Sequence, residues 1–253
     1  SFGEGWYVAA AAILAEVSVQ IEPDQPQTAQ VERFLRDAGL ERRVVPYRSR
    51  PRANKALPDL IARAFRSDPV AAQAKIRRAF LAEEPIPDEI VRWTAERLSS
   101  ASECAKVLVW VRYGAYHAAR NTRHDELVEL CDRARSADLL PVLIGDALRE
   151  REPSEVVDMT HFWKLPLFRG PNTRRAQLQL FELMRQRHDL RGQLGVTTAG
   201  MDGPALLGLA TTYITDEPNV RLGKWVGAVP GYEEVVRGEG YLDRISRTLA
   251  RWA

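Results

Sequence analysis

One stretch of the sequence carries cationic and hydrogen-bonding side chains directly after an apolar run. KVLVWVR (106–112) is typical of a strand buried in a parallel sheet, and Arg112 stands at its end. The forked guanidinium group of arginine suits a diphosphate. The polar candidates within the next nine positions are Tyr113, His117, Arg120 and Asn121. The pattern predicts a diphosphate site, and the alternative is an ion-paired arginine beside a surface loop.

A second candidate is a glycine-rich turn between two apolar segments. It follows the predicted strand QLGVTTAG and contains Thr197, Thr198, Gly200, Met201, Asp202 and Gly203. Glycines let a ligand approach the backbone closely, and the amide groups that open a helix favour an anion. Asp202 is interpreted either as the N-cap of the next helix, which Pro204 supports, or as a ligand-binding acid. The turn is a predicted phosphate- or sugar-binding element.

Further candidates stand at a helix start, at another strand end and in a late loop. They are Gly3, Glu4, Gly5, Gly145, Asp146 and Lys224. The first three form the motif FGEGW, where the glycines suit a close ligand or a tight turn and the acid suits a general base or a helix-dipole partner. Gly145 and Asp146 end the strand LLPVLIGD. Lys224 belongs to NVRLGKWVGAVPGYEEV, which is either a lid over a cleft or a packed loop.

The elements around these residues alternate between strand and helix. Predicted strands lie at 17–22, 42–48, 106–112, 139–146, 156–160, 193–200 and 211–215, with helical spacing between them. We therefore predict an α/β fold with two Rossmann-like subdomains that face a cleft. The first covers residues 1–98 and includes a helical insertion, the second covers 103–253, and SSASE (99–103) links them. Ligands of such sheets bind beyond the carboxyl ends of the strands, where the candidates converge.

The bulk composition excludes several functional classes. The chain has 36 basic and 34 acidic residues, a balance that argues against nucleic-acid binding. The longest apolar run, near WYVAAAAILAEV, is too short to span a bilayer, so no membrane partner is expected. Cys104 and Cys131 lack metal-ligand spacing and are expected to be buried and inert in a reducing, cytoplasmic setting. No convincing metal motif is present, so no metal is expected.

These motifs together resemble those of the fucosyltransferase-type GT-B glycosyltransferases. FGEGWYVAAAAILAE is similar to the family's glycine-rich loop and first helix. KVLVWVRYGAYH is similar to a strand that ends in the family's form HVRxxD, although Trp110 stands at the histidine and Ala115 near the acid. VTTAGMDGPALLGL resembles a later strand, turn and helix of the family. The resemblance covers most of the chain and is closest over residues 104–216.

The resemblance implies roles for the candidates. Arg112 would contact the donor diphosphate, the turn at Thr197 to Gly203 would help to hold a nucleotide sugar, and Gly3 to Gly5 would line the same cleft. The implied function is a metal-independent glycosyltransferase without a cofactor, which moves a fucose-like sugar from a nucleotide-activated donor to a hydroxyl of a sugar, small molecule or protein. The donor lies in the C-terminal half and the acceptor in the N-terminal half.

The catalytic base is left open among three residues. Glu4, Asp202 or His117 would deprotonate the acceptor, while Arg112 stabilises the leaving group. Two other functions stay open. One is a non-catalytic module that binds a nucleotide or sugar. The other is a nucleotide or NAD hydrolase, toxin-like, on a Rossmann-like sheet.

Overall fold

The structure is a computed structural model that describes most of the chain. It covers residues 4–16, 18–20, 28–37, 39–41, 44–45, 56–82, 84–99, 103–114, 120–149, 153–160, 162–168 and 173–253. The helices are α1 (Glu4–Ala15), α2 (Thr28–Asp37), α3 (Leu57–Ser67), α4 (Pro69–Leu81), α5 (Asp88–Arg97), α6 (His124–Ser136), α7 (Thr173–Arg187), α8 (Asp202–Leu206) and α9 (Tyr241–Trp252). The strands are β1 (Val19–Gln20), β2 (Val44–Val45), β3 (Ala105–Val111), β4 (Leu139–Gly145), β5 (Val157–Asp158), β6 (Leu190–Val196), β7 (Ala210–Thr215) and β8 (Tyr232–Val236).

A six-stranded parallel sheet organises the second half of the chain. Its strand order is β5-β4-β3-β6-β7-β8, and each neighbouring pair is parallel. From the central strand β3, β4 and β5 are added on one side. The chain then returns to pair β6 with the other side of β3, and β7 and β8 follow on that side. This order is that of a Rossmann-like, doubly wound fold. The α/β class predicted from the sequence is therefore confirmed for this half.

Helices cover both faces of this sheet, so its central strands are buried on both sides. On one face, α6 and α9 bring Leu127, Leu130 and Ile245 against Val107 and Val109 of β3. On the other face, α7 and α8 pack on Leu108 and Trp110, together with the helices of the N-terminal half. Burial on both faces explains why β3 and β4 read as nearly continuous apolar runs.

The N-terminal helices share a hydrophobic core with the sheet. Ile61 and Phe65 of α3, and Ile76 and Phe80 of α4, belong to the same buried cluster as Trp110. Side-chain bonds tie the two halves as well: Arg77 donates to the carbonyl oxygen of Leu207 at 2.9 Å and pairs with Glu182 at 2.5 Å. The N-terminal half is therefore packed directly over the α7–α8 face.

The strands of the N-terminal half form a small sheet in the described residues. β1 and β2 pair in parallel over two residues each, Val19 with Val44 and Gln20 with Val45. Gly39 follows the end of α2, with a φ of 70°, and the Leu40 amide donates to the Leu35 carbonyl oxygen. A complete second Rossmann-like unit, and the division at residues 98 and 103, stay predictions.

The cysteines differ from the expectation. Cys131 is buried on α6, but Cys104 is exposed just before β3, so the prediction that both are buried was wrong for Cys104. Among the described residues, no helix has both the length and the apolar character needed to cross a membrane.

Candidate functional site

The candidate site lies where β3 and β6 meet at the carboxyl edge of the sheet. These two strands are neighbours, but the connection from β3 leads away to β4 while the connection from β6 leads to β7. At such a reversal the loops diverge and leave a crevice, which is where open α/β sheets bind ligands. Val111 and Val196 end the two strands, so Arg112 and Thr197 are the first residues of the crevice.

Backbone and side-chain bonds fix Arg112 at the end of β3. Its amide donates to Thr122 Oγ1 at 2.9 Å, and the Thr122 amide donates to the Arg112 carbonyl oxygen at 2.9 Å. Its Nη1 donates to Asn121 Oδ1 at 2.9 Å, and Asn121 Nδ2 reaches the Gly114 carbonyl at 3.2 Å. The described ends of the 112–122 loop are thus closed on each other, with one guanidinium nitrogen committed to Asn121.

The electrostatics around Arg112 favour an anion. Partial burial lowers the pKa of its guanidinium group, the positive charge of Arg120 lowers this pKa further, and Asp146 opposes both effects. A third arginine, Arg149, comes from the loop after β4. The guanidinium groups of Arg112 and Arg120 interact beside the Asp146 carboxylate, and a phosphate group would stabilise their two charges.

Asp146 and Tyr113 link the loops that follow β3 and β4. The Tyr113 amide donates to Asp146 Oδ2 at 2.8 Å, and the Asp146 amide donates to the Val111 carbonyl oxygen at 2.9 Å. Arg149 donates to the Tyr113 carbonyl at 3.2 Å and lies 4.5 Å from the centre of the Tyr113 ring. The two loops therefore act as one polar unit beside Arg112.

Gly145 allows this close approach of β4 to β3. Its φ is 117°, and a Cβ atom at this position would lie 2.1 Å from the carbonyl oxygen of Val111. Only glycine fits both the backbone conformation and the space. The sequence analysis placed Gly145 in a ligand contact, and the structure gives it a packing role at the same edge.

The predicted strand through Gly200 ends earlier than expected. β6 stops at Val196, and the Thr197 amide and Oγ1 both donate to the Ile214 carbonyl oxygen at 3.0 Å. Thr197 to Gly200 are partly exposed, whereas Met201 to Gly203 are buried. Only Thr197 to Gly200 are thus available to a ligand. After Gly200 the turn folds back over the sheet.

A buried hydrogen-bond network holds this turn. Trp110 Nε1 donates to Gln193 Oε1 at 2.8 Å, and Gln193 Nε2 donates to the Met201 carbonyl at 2.8 Å and to Thr211 Oγ1 at 2.7 Å. One amide group therefore joins β3, β6, β7 and the turn. Gln193 was not predicted from the sequence. The signal there is a polar residue within an apolar strand, and the structure shows that its side chain is fully buried.

Asp202 is inside the protein rather than at the crevice. It is 2% exposed, and its Oδ1 accepts a bond from the Tyr232 hydroxyl at 3.4 Å. The N-cap interpretation was wrong, because α8 begins at Asp202 and Met201 is the N-cap. Since α8 has five residues, Pro204 is its third residue rather than its first. In this structure the Asp202 carboxylate is therefore not exposed to an acceptor at the crevice.

The remaining candidates lie elsewhere or outside the described residues. Lys224 Nζ pairs with Asp59 of α3 at 2.5 Å, and the neighbouring Trp225 is fully buried, so this part of the segment is packed against the protein rather than placed at Arg112. Gly5 lies in α1. Gly3 and His117 lie outside the described residues, as does the side chain of Glu4. None of these is brought to Arg112 by a described contact.

The site is suited to hold a diphosphate more clearly than to move a proton. Arg112, Arg120 and Arg149 supply charge, and Thr197 and Thr198 supply hydroxyl and amide groups on the neighbouring strand. No cluster of three or more histidine, cysteine, aspartate or glutamate side chains that could hold a metal ion occurs within the described ranges.

A doubly wound sheet does not by itself identify a function, because one fold hosts many chemistries. The side chains at the carboxyl edge therefore carry the functional argument. Comparison of the chain with protein-family models, with curated proteins and with solved structures gave no match.

Proposed function

We propose that this protein is a glycosyltransferase that binds a nucleotide-activated sugar at the β3–β6 crevice and transfers a fucose-like sugar to an acceptor hydroxyl. The observation that carries the proposal is the position of Arg112. It is the first residue after β3, at the reversal of strand order, with Arg120 close enough to lower its pKa. The donor diphosphate would lie against these two cations.

The charge of the crevice suits the leaving group of this reaction. When the sugar departs, negative charge builds on the diphosphate, and preorganised guanidinium groups stabilise that charge more than they stabilise the bound donor. Arginine keeps its proton even when burial lowers its pKa, because its ordinary pKa lies far above neutral pH. In this proposal the arginines neutralise the leaving group, so the transferase is metal-independent and needs no cofactor.

We propose a GT-B-like division of labour between the halves of the chain. The C-terminal sheet would hold the donor, and the N-terminal half would receive the sugar, small-molecule or protein acceptor. The packing of α4 on the end of α8, through Arg77 and the Leu207 carbonyl, supports this by setting the N-terminal half next to the turn that begins at Thr197. Glu4 and His117 stay the candidate bases, because Asp202 is buried.

The test is release of a nucleoside diphosphate from donors. The purified protein is incubated with GDP-, UDP-, TDP-, CDP- and ADP-sugars, with and without simple sugar acceptors, and free diphosphate is measured. One donor should be consumed, and Arg112→Ala should lower the rate at least about a hundredfold, as expected when a charge-stabilising donor is removed. Arg187→Ala, at the exposed end of α7, is the matched control and should keep the rate.

A second candidate is a module that binds a nucleotide sugar without chemistry. Asp202 favours it, since the one acid of the turn is buried under Tyr232. The two functions separate cleanly: a module binds one nucleotide sugar tightly yet leaves it intact over long incubation, whereas a transferase turns it over. If Arg112→Ala turns over the donor as fast as the wild type does, the site proposed here serves neither function.

A further inference from the structure

The loop after β4 begins with an acid, Asp146, which stands at the carboxyl edge of the sheet beside Arg112. Asp146 follows Gly145, the last residue of β4, and β4 is the second strand of the Rossmann-like order that begins at β3. In dinucleotide-binding sheets of this order, an acid that follows the glycine-rich first turn binds a ribose hydroxyl of the cofactor, and Asp146 stands at a comparable strand end. From the sequence, Asp146 is predicted to be a ligand-binding residue at the strand end, without a named group as its partner.

The carboxylate of Asp146 is held in place and still has capacity to bind. Its Oδ2 accepts the Tyr113 amide at 2.8 Å, which holds the side chain beside the end of β3. Among the described residues no hydrogen bond is recorded to Oδ1, and the side chain is half-buried. An ionised carboxylate accepts several hydrogen bonds through its two oxygens, so a vicinal diol can bind without displacing Tyr113.

The surroundings place the nucleoside on this side of Arg112. Neighbouring strands are about 5 Å apart, so Asp146 lies one strand away from the guanidinium group that faces the diphosphate. Beside it, the exposed Arg149 stacks on Tyr113 and offers a planar cationic surface to a base. The Thr197 turn lies on the opposite side of Arg112, which leaves that side for the sugar.

We propose that Asp146 binds the 2′,3′-diol of the ribose, so that the protein selects ribonucleoside diphosphates over their 2′-deoxy counterparts. This inference rests on the proposed function, since it names the substrate class of the same site. It predicts a UDP-, GDP-, ADP- or CDP-activated donor and excludes a deoxythymidine diphosphate donor. A carboxylate that binds the diol of the transferred sugar instead would give a different result in the same experiment.

The experiment is isothermal titration with matched pairs: UDP and dUDP, GDP and dGDP, ADP and dADP, CDP and dCDP. For the base that binds, the ribonucleotide should bind about ten- to hundredfold more tightly than its deoxy partner, the range for a hydrogen bond to a charged group. Asp146→Asn keeps an oxygen for the Tyr113 amide and should bind both members of the pair equally. Loss of fold alone would weaken both and leave their ratio unchanged.

Asp158→Asn is the matched control, because Asp158 ends β5 and its Oδ1 accepts the Thr160 amide at 2.7 Å. It should retain the preference of the wild type. Equal binding of both members by the wild type, or a preference that survives Asp146→Asn, overturns the ribose assignment while leaving diphosphate binding intact. The assignment also fails if Asp146→Asn weakens a nucleotide sugar but not its nucleotide. Absence of binding for every diphosphate removes the proposed function itself.

Discussion

The indole ring of Trp110 occupies the space that a side chain at Gly200 would need. A Cβ atom at Gly200 would lie 2.4 Å from Cζ3 of this ring, well inside van der Waals contact. The turn after β6 is thus laid directly on a residue of β3, two positions before Arg112. This contact brings the two predicted halves of the site together.

Gly200→Ala should lower the free energy of unfolding by about 1–3 kcal/mol, because either the ring or the turn must move. Chemical denaturation measures this. Gly223→Ala is the matched control, since the nearest atom to its Cβ is 3.8 Å away, and it should change the value by less than about 0.5 kcal/mol. The loss should shrink in a Trp110→Phe background, by a coupling of at least about 0.5 kcal/mol. Strictly additive losses would contradict the contact.

Gln193→Leu should destabilise the protein by at least about 2 kcal/mol despite its similar volume. The change leaves Trp110 Nε1 and the Met201 carbonyl without their partner inside the core, and each unsatisfied buried group costs about 1–3 kcal/mol. Urea denaturation gives the free energy, and tryptophan fluorescence should report a changed environment. A change below about 0.5 kcal/mol would mean that the network does not hold the turn.

Glu182 on α7 should stabilise the fold in its charged form. Burial raises its pKa, but bonds from Arg185 and Arg77 outweigh this, so its pKa lies below the ordinary 4.5. A lowered carboxyl pKa gives stability that is present above the unfolded value and is lost as the pH falls through the folded value. Glu182→Gln should therefore cost about 1–3 kcal/mol at pH 7, and the difference from wild type should shrink below about pH 4.5.

Glu129→Gln is the control for that experiment. Glu129 pairs with Arg133 at 2.7 Å on α6, but its side chain is 42% exposed, so the pair should contribute less than about 1 kcal/mol. Denaturation curves at several pH values compare both variants with the wild type. A loss in Glu182→Gln that persists unchanged at low pH would show that packing rather than charge stabilises the α4–α7 contact.

The two cysteines should differ sharply in reactivity. Burial raises the pKa of the Cys131 thiol to about 12, whereas Cys104 is exposed. Because the thiolate is the reactive form, a thiol reagent at pH 8 should label one cysteine in the folded protein and two in denaturant. Cys104→Ser should abolish labelling of the folded protein. Equal labelling rates for the two cysteines would contradict the burial of α6 against the sheet.

The sequence predicts the central strands well, because each is buried on both faces and reads as an apolar run. It fails at β8, whose residues YEEVV carry two glutamates and lie on the sheet edge in a stretch interpreted as a lid or loop. It extends β6 to Gly200, although the chain turns at Thr197, because small residues fit strand and turn alike. In both segments, the sequence does not show which face of the chain packs against another element.

The candidate site, like the fold, could be predicted only in part from the sequence. Arg112 and Asp146 were predicted because the ends of parallel strands share one edge, a rule that needs no side-chain contacts, and the structure places both residues at that edge. The partnership of Trp110 with Gln193 joins residues 83 positions apart, and that of Asp202 with Tyr232 joins residues 30 apart. Such pairs depend on strand order and register, which the local pattern of residues does not encode.

The most direct test of the account is titration of the purified protein with GDP, UDP, TDP, CDP and ADP, alongside Arg112→Ala and the control Arg187→Ala. The account predicts that at least one nucleoside diphosphate binds, that Arg112→Ala weakens it at least about tenfold through the loss of a charge-assisted bond, and that Arg187→Ala binds as the wild type does. Binding that is unaffected by Arg112→Ala, or no binding of any diphosphate, would contradict a diphosphate site at the β3–β6 crevice.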